Sequence, residues 1–93
     1  MTNTRPTKTG AELLAIMRGH GISPRVRMDS PGSTIELPPP HQAAWEAAHG
    51  GRPVLSSVVA GLERRGLINM AHGRMAGHLY MWWTVKGQGN RNG

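Results

Sequence analysis

Ser56, Ser57 and Arg64 of "VLSSVVAGLERRG", with Arg52 ahead of them and His72, Arg74 and Lys86 beyond, are the residues whose types and spacing suit chemistry. That chemistry is the non-covalent recognition of an anion. Nine of the eleven basic residues are arginine, whose planar fork matches phosphate oxygens and guanine edges. The charge is one-sided, because no acid follows Glu63 while Arg64, Arg65, Arg74, Lys86 and Arg91 do. With a net charge of +6, such a field attracts polyanions, of which nucleic acid is the commonest. The competing reading of each residue is a solvated surface side chain.

Other chemistries find little to work with. The five carboxylates are scattered singly, and no Ser/His/Asp set is local. The "GHG" stretch is not a phosphate loop. His20, His41, His49, His72 and His78 include no pair at four-residue spacing and no acidic neighbour arranged as a ligand. With no cysteine there is neither a disulfide nor a thiolate site. "GRMAG" has GxxxG spacing but lies in a polar segment, so it carries no membrane meaning. The N-terminus lacks the apolar region of a signal peptide, and no apolar run approaches the roughly 20 residues a membrane span needs. The expectation is a cytoplasmic protein that is not an enzyme and uses no cofactor or metal.

A chain of 93 residues makes one domain. Residues 1–8 and 88–93 are polar and rich in Gly, Asn and Thr, so they are expected to be disordered tails around a domain at 9–87. The elements that must position the cations follow from periodicity. "KTGAELLAIMRGHG" predicts a first helix with Thr9 as N-cap and Glu12 completing a capping box; Gly19 or Gly21 ends it. "RVRM" and "STIEL" alternate on either side of "DSPG", predicting a short strand or hairpin. A second helix is expected from near Pro40 to Gly50 or Gly51, with Trp45 as its apolar anchor. The third, about 54–65, buries a stripe of Leu55, Val58, Val59 and Leu62 and stops at Gly66. "LINM" and "HLYMWWTV" then pair around the turn "AHGRMAG". Alternation sends Trp82 and Trp83 to opposite faces, one into the core and one outward. The fold class is α+β, three helices with a C-terminal β-hairpin, in the order of a winged helix-turn-helix.

"SSVVAGLERRGLI" resembles the recognition helix of bacterial winged-helix regulators, and "YMWWTVKGQG" is similar to the closing strand of the MarR-like ones. The resemblance covers about residues 40–88. It implies a DNA-binding domain whose third helix enters the major groove. Ser56 and Ser57 would meet phosphate or base edges, Ala60 and Gly61 would allow close approach, and Arg64 would reach along the groove. Arg52 would take guanine or phosphate, and Arg74 at the hairpin tip the minor groove or backbone, with His72 and Lys86 assisting. The chain departs from that family in lacking its dimerising helices and the acidic residue of its wing. The expected partner is double-stranded DNA, with a homodimer left open and no membrane. Two alternatives stand beside a transcriptional regulator of bacterial or phage type. One is a phage-type interaction module that inhibits a host protein through the same fold. The other is RNA or single-strand binding through the aromatic hairpin.

Overall fold

The computed structural model describes residues 5–86. Residues 1–4 and 87–93, which include most of the expected tails, lie outside the described residues. Three helices and a three-stranded antiparallel sheet form a small α+β fold.

Helix α1 runs Lys8–His20, two residues earlier than Thr9 capping would allow. Thr7 is the N-cap: its backbone is extended, and its hydroxyl accepts the Gly10 N–H at 3.1 Å. An orphan donor of the first turn is thereby satisfied two residues before the expected capping box. Glu12 is left free of that role and faces His49 Nε2 at 3.4 Å. Leu13, Leu14 and Met17 form the buried side of α1, as their spacing predicts.

Strand β1 is short, Arg25–Arg27. "STIEL" makes no full strand against it. Glu36 alone exchanges backbone hydrogen bonds with Arg25, while Ile35 bridges to Val54. The ladder ends there because Pro38, Pro39 and Pro40 have no N–H to give, and the Leu37 N–H goes to Gln42 Oε1 at 2.9 Å. Ile35 and Leu37 still enter the core.

Helix α2 spans Pro39–Ala48 and opens on two prolines that suit a first turn. Trp45, 3% exposed, anchors it in the core. The His49 ring stacks on that indole at 4.1 Å. Helix α3 is Ser56–Arg64 rather than 54–65. Val54 is spent on its bridge to Ile35, and Leu55 is the extended N-cap. Leu55 is consequently 49% exposed and not part of the buried stripe, which consists of Val59 and Leu62 with Val58 at its edge. Gly66 ends the helix as expected, at φ +74. Its N–H bonds to Glu63 O and the next N–H, of Leu67, to Leu62 O, the paired closure that a left-handed residue permits.

Strands β2 (Ile68–Met75) and β3 (His78–Val85) pair along their whole length. The connection is therefore two residues, not seven. Ala76 and Gly77 both have positive φ, a turn whose twist matches that of the flanking strands. The sheet order is β1-β3-β2. One face carries Trp83, Val85 and Ile68 against the helices. The other carries Tyr80 and Trp82 and is not part of the core. The expectation that the two tryptophans divide between faces holds, with Trp83 the buried one.

Candidate nucleic-acid interface

Helical spacing puts Ser56, Ser57, Ala60 and Arg64 on one stripe of α3, and all four are exposed. The stripe runs about 12 Å, roughly the width of a major groove. Arg52 is exposed in the loop leading into α3. Gly61 belongs elsewhere: it is buried, and Arg65 folds back over it to donate to its carbonyl at 3.0 Å. Gly61 therefore cannot serve close approach from outside. Arg65 is committed internally, its Nε donating to Arg5 O at 3.1 Å. That bond ties residue 5, expected to be tail, to the end of α3.

His72 and Arg74 are not in a turn. They stand inside β2, opposite Met81 and Leu79. Opposed residues share a face, and alternate residues along a strand repeat it. His72 and Arg74 thus lie on the face of Met70 and its partner Trp83, the face on which α3 packs. Both are exposed. An apolar groove of about 320 Å³ separates the N-terminal end of α3 from the hairpin, floored by Val26, Met81 and Trp83 and walled by Val54 and Leu55. Lys86 is not brought to this cluster. It follows β3 at the base of the hairpin, its N–H on Leu67 O, about 23 Å of strand from the row of Arg74. Alternation from buried Val85 carries it to the opposite side.

The acids are mostly turned to internal partners. Glu12 faces His49, and Glu46 accepts from Gln42 at 2.7 Å. Glu63, on the flank of the α3 stripe, accepts from Trp83 Nε1 at 3.3 Å. Asp29 holds the end of the hairpin: it accepts from Arg27 at 2.7 Å and from the Leu79 N–H at 3.2 Å, with His78 Nδ1 at 3.5 Å. Arg27 above all, aided by the Leu79 N–H and His78, lowers the Asp29 carboxyl to about 2. Among the described residues, no acid pairs with Arg52, Arg64, Arg74 or Lys86. The α3 stripe and Arg74 of β2 are left to act on solvent or on a ligand.

Sequence reasoning missed the internal duties of Glu63, Asp29 and Arg65, which depend on partners 20 to 60 positions away. Among the described residues no helix is long and apolar enough to cross a membrane, and no three His, Cys, Asp or Glu side chains gather as a metal site. No protein-family model, curated protein or solved structure matches the chain.

Proposed function

We propose that the chain is a winged helix-turn-helix protein that binds duplex DNA. In this reading α2 and α3 are the helix-turn-helix, α3 is the recognition helix, and β2–β3 is the wing. The element order and the sheet order β1-β3-β2 support it. One observation carries the functional reading. The exposed stripe Ser56–Ser57–Ala60–Arg64 and the hairpin residues His72 and Arg74 lie on the same side of the sheet, while the neighbouring acid Glu63 is engaged by Trp83.

The mechanism follows from that placement. Arg64 reads or steadies the major-groove edge, the serines and the first N–H groups of α3 hold phosphate, and Arg74 takes the flanking backbone or minor groove. The chemistry is binding, with no catalysis and no cofactor, and the role is that of a small cytoplasmic regulator of bacterial or phage type. Fluorescence anisotropy with a labelled mixed-sequence duplex at stepped salt tests it. Affinity should fall steeply with salt, and no binding at low salt would remove the reading.

The apolar groove beside α3 and the half-exposed Leu55 favour a second reading, in which the same side grips a host protein. A stoichiometric complex that survives nuclease, and that Leu55→Asp disrupts, would select it over DNA.

A further inference from the structure

The duplex reading leaves unused the outer face of the sheet, opposite the helices. Register sets Trp82 between Arg25 on β1 and Ala71 on β2, and Tyr80 between Arg27 and Gly73. These residues form two adjoining rows of a face that buries no core. The Arg25 guanidinium stands over the Tyr80 ring, 5.1 Å from its centroid. The benzo end of Trp82 lies over Gly73, where an added Cβ would stand 3.3 Å from the ring. Gly73 weakens the strand as a β-former, and this close approach is its reason. It lets the indole settle along the strand, partly buried and partly open to solvent. Lys86 falls on this side at the hairpin base. Two acids border the face, Asp29 and Glu36. Asp29 is taken up by Arg27, His78 and the Leu79 N–H, while Glu36 adjoins Arg25 at the rim.

We propose that this face is a second nucleic-acid site, one that stacks the unpaired bases of a single strand on Trp82 and Tyr80. Bases need an aromatic plane, and the strand's phosphates need cations spaced beside it. Arg25 and Lys86 provide the second, Arg27 being held by Asp29, and stacked Arg25 orders the Tyr80 ring. A duplex presents no free base planes along its length, so this face and the α3 side choose different substrates. A second copy of the chain is a poorer occupant, because its own Arg25 and Lys86 would meet like charge. The inference does not rest on the duplex reading and survives its failure.

The test is a titration of the full chain with a ten-nucleotide oligo-dT, an oligo-rU of equal length and a ten-base-pair duplex. Anisotropy and tryptophan fluorescence are read together. Trp45 and Trp83 are buried, so quenching by stacked bases reports Trp82. Single strands should quench and the duplex should not; the dT and rU arms tell DNA from RNA. Trp82→Leu should weaken single-strand binding by about ten-fold or more and leave duplex affinity within two-fold or so. Arg64→Ala should do the reverse. If Trp82→Leu fails to fold, Tyr80→Leu and the Trp82 indole N–H resonance of the native chain replace it. No quenching by either single strand at low salt overturns the proposal, as does unchanged affinity in the Trp82 and Tyr80 variants. A doubled mass in gel filtration that Trp82→Leu abolishes would overturn it in favour of self-association.

Discussion

Trp83 donates its indole N–H to Glu63 at 3.3 Å, so the buried aromatic of β3 holds the one acidic side chain of α3. The bond does two things. It fixes the helix to the hairpin, and it draws a negative charge toward the sheet on a surface otherwise lined by cations. Glu63→Gln keeps an acceptor oxygen, so stability should change by no more than about 0.5 kcal/mol. Removal of the charge should tighten duplex binding at low salt. Glu63→Ala leaves the indole N–H without its partner and should cost about 1–2 kcal/mol in urea unfolding.

Arg64 and Arg65 are neighbours with opposite duties, which a pair of alanine variants separates. Arg64→Ala should leave the melting temperature unchanged and lower the slope of log K against log salt by about 1. Arg65→Ala should lose the bonds to Gly61 O and Arg5 O. It should destabilise the fold by about 1 kcal/mol. Equal effects of the two on binding and stability would contradict the division.

The hairpin turn carries a local conflict. Ala76 sits at φ +52, a left-handed conformation that costs a residue with a Cβ about 1 kcal/mol. Ala76→Asn should therefore stabilise by several tenths of a kcal/mol, since Asn tolerates that region and favours this turn. Gly77→Ala, at φ +80, should destabilise by about 1 kcal/mol or more. Thermal melts of both variants check the pair.

Asp29 sets an acid limit on the hairpin. Its pKa falls from 3.8 to about 2 in the folded chain. A lowered folded-state value contributes stability in full above the unfolded value, and that contribution is lost as pH falls from near 4 toward 2. Asp29→Asn should lower the melting temperature at pH 6 and flatten its decline across that window. An unchanged pH profile would show that Asp29 does not restrain His78 and Leu79.

Much of the fold was legible in the residues because the signals were local. Gly66 needs only its own φ to end α3, and the spacing of Leu13, Leu14 and Met17 marks a buried face without reference to anything distant. The same holds for the stripe Ser56–Ser57–Ala60–Arg64 and for the split of Trp82 from Trp83. Failures occurred where two solutions competed. Thr9 has the residue type of a cap, yet Thr7 two residues earlier takes the Gly10 N–H. "AHGRMAG" has the composition of a loop, yet strand pairing runs through it, because Gly73 makes room for Trp82 and only Ala76–Gly77 is needed to turn. The separation of Lys86 from Arg74 is not visible in the sequence, because it depends on the length of the hairpin. Asp29 and Glu63 could not be placed, since their partners are defined by the sheet's register.

The most direct measurement is a backbone amide chemical-shift map of the labelled chain, with and without a short mixed-sequence duplex at low salt. Ser56, Ser57, Ala60 and Arg64 should shift together with His72 and Arg74, while α2 and the outer-face residues Tyr80 and Trp82 stay still. Shifts confined to other surfaces, or none at all, would contradict it.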